Sequence, residues 1–257
     1  MYSRRTFLVL AGLTWCLAGL TSVSAVAQSN HDPDDAAEVL DYFIEALGGE
    51  MTLSGIETLT QKVTYTGWTE ATSEFSYKDG KSLDLTDISG TKGYDNLYDG
   101  EKWMARTPHS PAKVVTDKES LQTKEASFDL PTDALRLREQ AELMEVVPKD
   151  EYADTEYSEM VCLRLKDDEG MNILRYFDLD TGLLQCIERW VDQEGGEPRH
   201  MQIRYFNFKY EEAEGIMLLK TSRRTTGDDS FLDCVYSDIQ VDQPVDDSLF
   251  DFEVDDD

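Results

Sequence analysis

Histidine is scarce in this chain. Of 257 residues only His31, His109 and His200 carry an imidazole, and no two are close in sequence. A histidine-based zinc site would need long-range convergence, and the helical HExxH spacing does not occur. Basic residues are few as well: 24 Lys and Arg face 53 Asp and Glu, a formal charge of −29. Such a surface repels nucleic acid and anionic lipid headgroups, so no nucleic-acid partner is expected. GxSxG, the P-loop and GxGxxG are all missing. The chain therefore reads as a non-enzyme, with no catalytic residue, no cofactor and no metal.

Long apolar runs are missing too, with one exception. Phe7–Leu20 follows a basic Met1–Arg5 and precedes Ala25-Val26-Ala27, an A-x-A cleavage pattern. The run is short for a membrane span. Residues 1–27 read as an export signal cleaved near Ala27, giving a periplasmic or otherwise exported protein with no stable membrane insertion afterwards. Ser3-Arg4-Arg5-Thr6-Phe7-Leu8 is similar to the twin-arginine signal, although Val9 stands where that pattern has Lys. A Sec signal and a twin-arginine signal both fit, and the second is favoured. Cys16 follows the bulky Trp15, not the small residue of a lipoprotein signal, and leaves with the signal.

After cleavage, polar residues 28–33 form a flexible leader, 34–254 a single domain and 255–257 an acidic tail. His31 beside Asp32, Asp34 and Asp35 reads as part of that acidic leader and not as a metal site. His109, between Pro108 and Ser110, belongs to an exposed loop, and His200 opens a strand. The acidic charge is spread along the chain and reads as a solvated surface, which also fits a saline habitat.

Three cysteines remain in the exported chain: Cys162, Cys186 and Cys234. They fall on the first, third and sixth of six consecutive predicted strands. Second neighbours in a sheet lie roughly 10 Å apart, too far for a disulfide. Three buried free thiols are expected.

The pattern is mostly that of strands. Asn172–Trp190 forms two strands about Leu179-Asp180-Thr181-Gly182, where Gly182 can take a positive φ and Asp180 and Thr181 can bond locally. This hairpin reads as the middle of a long antiparallel meander. Its D-T-G lacks the second copy and the small following residue of an aspartic protease, since Leu183 follows. Asp178-Leu179-Asp180 lacks the later ligands of a calcium loop. The stretch is a turn.

Before it, Asp34–Leu47 is an amphipathic helix stopped by Gly48-Gly49. Thr58–Gly67 alternates in polarity. Strands 72–78 and 81–86 flank Asp79-Gly80, and strands 93–98 and 102–106 flank Asp99-Gly100. Residues 118–128 and 132–141 have helical character, with Leu130-Pro131 between them. After it come strands at 199–210, 216–225 and 230–241, preceded by short ones at 143–148 and 160–166. In 199–210, Ile203 and Tyr205 share one face, and Phe206, Phe208 and Tyr210 the other. Strands apolar on both faces need cover on both. The fold class is mainly β (α+β): one curved antiparallel sheet with helices in or over its concave face.

Phe43, Tyr65, Phe75, Tyr77, Trp103, Phe177, Trp190, Phe206 and Phe208 lie on these elements. Each alone reads as core. Together they allow the wall of an apolar ligand cavity.

Several stretches together carry a family likeness: Tyr42–Gly49 (YFIEALGG), Leu53–Leu59 (LSGIETL), Tyr98–Trp103 (YDGEKW), Arg175–Leu184 (RYFDLDTGLL), Tyr210–Leu219 (YEEAEGIMLL) and Pro244–Phe250 (PVDDSLF). In this order the chain resembles the periplasmic outer-membrane lipoprotein-sorting, or lipoprotein-carrier (LolA/LolB-like), superfamily. The resemblance implies an unclosed β-barrel of about eleven strands and an apolar cavity for acyl chains. It implies a non-enzymatic carrier or chaperone whose partners are lipid acyl chains or lipoproteins. Envelope proteins as further partners and a monomeric state are separate expectations. The second reading is a structural or interaction module of the envelope with a self-filled cavity. The third is a hydrolase with an unrecognised site.

Overall fold

Strand-forming stretches separated by glycine turns assemble into one sheet. A computed structural model describes residues 33–116, 130–166, 171–191, 200–226 and 230–251. The signal, the leader up to Asp32, the expected helix at 118–128, Phe252 and the acidic tail lie outside the described residues.

Thirteen strands pair antiparallel in the order β6-β5-β4-β3-β2-β1-β13-β12-β11-β10-β9-β8-β7. The first wing is β1 (Thr58–Gly67), β2 (Glu70–Lys78), β3 (Lys81–Ile88), β4 (Thr91–Tyr98), β5 (Trp103–Thr107) and β6 (Ser110–Val114). The second is β7 (Met144–Val146), β8 (Val161–Lys166), β9 (Met171–Phe177), β10 (Leu184–Val191), β11 (His200–Ala213), β12 (Ile216–Thr226) and β13 (Ser230–Val241). The wings join where β1 pairs with β13, Leu59 opposite Val241. The edges β6 and β7 do not pair, so the curved sheet stays open.

Two expectations change here. The described residues form thirteen strands, not about eleven. The β9–β10 hairpin also lies toward one edge, while β13 is the central strand. A linear reading cannot place the centre, because the central pairing joins the two ends of the chain. The strand missed outright is β6, which contains Pro111. As an edge strand it tolerates the missing N–H.

The turns follow local chemistry. Asp79 and Gly80 both take positive φ (48° and 79°), as a two-residue hairpin loop requires. In the β9–β10 turn, Gly182 has φ 72°. There the Asp178 carboxylate accepts from the Asp180 and Thr181 N–H groups at 2.8 and 3.2 Å. The Thr181 hydroxyl accepts from the Leu183 N–H at 3.3 Å, as expected, and Asp178 is an additional bonding side chain. The β4–β5 connection is longer than Asp99-Gly100 alone, since Tyr98 pairs with Trp103.

Among the described residues three α-helices accompany the sheet: α1 (Ala36–Leu47), α2 (Glu50–Ser54) and α3 (Asp133–Glu139). Asp35 caps α1, accepting from the Glu38 N–H at 2.8 Å, and Gly48 ends it at φ 129°. The α1 stripe of Val39, Leu40, Phe43 and Leu47 is buried against the sheet with Leu59, Val63, Leu163, Phe177 and Ile187. A Cβ on Gly182 would stand 2.8 Å from the Ala46 Cβ, so the β9–β10 turn is pressed against α1.

Both faces of the sheet are covered. On the convex side Val147, Tyr152 and Tyr157 pack over Cys162, Leu174, Tyr176 and Cys186. At the other wing Phe250 packs on Leu83, Leu97 and Met104. The three cysteines are buried and free, as their strand positions require.

Candidate functional site

Strand alternation fixes which side chains face the helices. Pairing in register puts Tyr65, Phe75, Tyr77, Tyr98 and Trp103 on the concave face of β1–β5. Tyr205, Arg224, Cys234 and Tyr236 continue that face across β11–β13. Between this surface and α3 lies a cavity of about 600 Å³. Leu130, Thr132, Asp133, Leu135, Arg136 and Glu139 wall it on the helix side. The volume is in the range of small-molecule sites.

The nine aromatics expected to form a cavity separate into three settings. Tyr65, Phe75, Tyr77 and Trp103 line this cavity. Phe43 and Phe177 meet edge to face at 5.2 Å in the core under α1. Phe208 is buried in that same core, edge-on to Tyr210 at 6.4 Å. Trp190 and Phe206 pack on the convex cluster instead.

Phe206 and Phe208 part because the β11 register breaks between Phe206 and Lys209, and Asn207 has φ 56°. The bulge reverses the alternation, so Phe208 packs with Tyr205 and Tyr210 and not with Phe206. The shared parity of Phe206 and Phe208 read from the sequence is thereby corrected.

Residues outside those nine complete the wall: Tyr94, Tyr98, Tyr205, Tyr236 and Arg224. The signal for Tyr94 and Tyr98 was present, as they alternate with Asn96 along β4. Six tyrosines make the wall amphipathic, each ring presenting an apolar body and a polar tip. Burial raises the Tyr77 phenol above its usual range. Tyr98 donates from its hydroxyl to the Gly100 carbonyl at 3.0 Å and lies 5.1 Å from Trp103, ring to ring.

Convex-side polar groups are tied up structurally. Glu188 is buried and accepts from the Tyr176 hydroxyl at 3.2 Å and from the Trp190 indole N–H at 3.0 Å. It also pairs with Arg204 at 3.2 Å. Burial pushes the Cys162 and Cys186 thiols up to about 12, so both stay protonated and unreactive at neutral pH. No group of three or more metal-binding side chains occurs among the described residues. Nor is any helix there long and apolar enough to cross a membrane.

No family model matches the sequence, and no curated protein matches it. Solved structures do. A DUF1329 family protein from Desulfovibrio piger aligns with a TM-score of 0.50 at 13% identity, over 85% of this chain and 98% of its own. A LolA superfamily protein from Nitrosomonas europaea aligns with a TM-score of 0.53 at 10% identity, over 84% of this chain and 97% of its own. The chain has a LolA-like fold. At these identities the likeness is one of architecture: an open antiparallel sheet with helices on its concave face. In this LolA-like sheet the cavity lies beneath α3, while α1 fills the concavity over β8–β10 with its own side chains.

Proposed function

We propose that the protein is a periplasmic, non-enzymatic carrier or chaperone that holds the acyl chains of lipids or lipoproteins in the concavity of its sheet. The observation that carries this reading is the aromatic-walled cavity between the concave face and α3. It is supported by the LolA-like fold and, for location, by the export signal read in residues 1–27. Burying a chain yields about 0.8 kcal/mol per CH₂, so a long acyl chain contributes on the order of 10 kcal/mol before ordering costs. Shielding of this kind needs no catalytic group, and none is assigned.

Native mass spectrometry of gently purified protein tests the reading. A co-purifying lipid is expected. A lipid-free protein without affinity for a fluorescent fatty acid would favour the second reading, an envelope interaction module. One observation supports that alternative: Leu40, Phe43 and Leu47 of α1 already fill part of the concavity.

A further inference from the structure

Among the described residues, six arginines are paired with acids: Arg106, Arg136, Arg138, Arg164, Arg204 and Arg223 each lie within ion-pair distance of a carboxylate. Arg223 and Arg224 are neighbours on β12, and alternation sends them to opposite faces. Arg223 takes the convex face and bonds Asp233 twice, at 2.6 and 3.0 Å. Arg224 takes the concave face and lines the cavity. Among the described residues no carboxylate is ion-paired with Arg224, and its Nε is shielded from solvent without a hydrogen-bond partner. Its guanidinium lies 5.4 Å from the centre of the Tyr205 ring, with Tyr65 and Tyr94 also around it. A partly buried cation without an anion is costly to maintain, and in so acidic a protein a carboxylate was the readily available partner.

We infer that Arg224 is an anion seat, and that the ligand is a single-chain amphiphile with an acidic head group, a carboxylate or a phosphate. A guanidinium offers a planar fork of donors that matches either oxyanion. The register gives the orientation. Arg224 stands opposite Leu232 and Tyr205, toward the end of the sheet that carries the β1–β2 turn. Of the lining carboxylates Asp79, Asp84, Asp133 and Glu139, Asp79 and Asp133 belong to the opposite end, where Asp79 forms the β2–β3 turn and acts on Tyr77 together with Asp133. Asp133 is engaged by the Leu130 N–H at 3.0 Å, and Asp84 accepts from the Thr86 hydroxyl at 3.0 Å. The acidic head therefore lies at Arg224, and the chain runs past Phe75 toward Trp103 and Leu130.

This rests on the acyl-binding reading above, and the experiment separates the two. The purified full-length chain is titrated calorimetrically with laurate, dodecyl phosphate, dodecanol and dodecyltrimethylammonium, each below its micelle concentration. At least one acid is expected to bind roughly tenfold or more tightly than dodecanol, the scale of a charge-assisted hydrogen bond. The tighter of the two acids identifies the head group. Arg224→Gln is expected to erase the preference of the acids over dodecanol, and Arg224→Lys to retain part of it. Equal affinity for acids and alcohol, or tighter binding of the ammonium probe, overturns the anion seat and leaves acyl binding standing. Binding of none of the four overturns both. The comparison among probes uses the native chain, so it holds even if a variant fails to fold.

Discussion

Cys162 and Cys186 flank Tyr176 on adjacent strands, each opposite it in register. Burial holds both thiols near 12, and raises the Tyr176 and Tyr157 phenols as well. The native state thus keeps protons that the unfolded chain releases from about pH 8.5 upward. Stability from these groups is fully present below that pH and is lost as pH rises toward 12. Between pH 8 and pH 10 the urea midpoint should fall, by an amount equivalent to roughly 1–2 kcal/mol per cysteine. The Cys162→Ala/Cys186→Ala double variant should show a shallower slope, the remainder coming from the tyrosines. An identical slope in the variant would mean that the thiols are not the titrating groups. Their free, buried state was legible from strand spacing alone. The division of nine aromatics among cavity, core and convex face was not, because it depends on what packs above each face.

Secondary elements were legible where short-range chemistry decides them. Asp79-Gly80 sets a hairpin by backbone conformation, and the α1 stripe with its glycine stop sets a helix. Bulges escaped, since a single left-handed residue in a run of alternating apolar side chains leaves no mark in the pattern. Asn207 is that residue in β11, and its φ of 56° is tolerated by asparagine and glycine but not by β-branched side chains. Asn207→Gly should therefore keep the fold with little change in stability. Asn207→Val should cost about 1–3 kcal/mol in chemical denaturation. If valine were tolerated as well as glycine, the bulge would not be what separates Phe206 from Phe208.

For the whole molecule, 53 acidic residues against 24 basic ones impose a self-repulsion that salt screens. The melting temperature should rise between low salt and molar sodium chloride. A flat or falling trend would show that the acidity brings no net repulsion to the folded state. The sheet class and curvature were legible from strands apolar on both faces, and the openness from the family resemblance alone. The central seam was not, because Leu59 and Val241 come together across nearly the whole chain with no local signal on either side.

That seam governs when the cavity comes into being. Tyr65 belongs to β1, near the start of the domain, whereas Arg224 and Tyr236 belong to β12 and β13 at its end. Contacts this distant along the sequence make folding slow, because the loop-closure entropy is met before the pairing is gained. During synthesis the first wing emerges with β1 as an unpaired edge and waits for the last strand. A chain cut short before Ser230 would keep most of its strands and lose both the partner of β1 and the shared wall of the cavity. The cavity is thus a property of the finished polypeptide, and loss of the C-terminal strand alone is expected to abolish it.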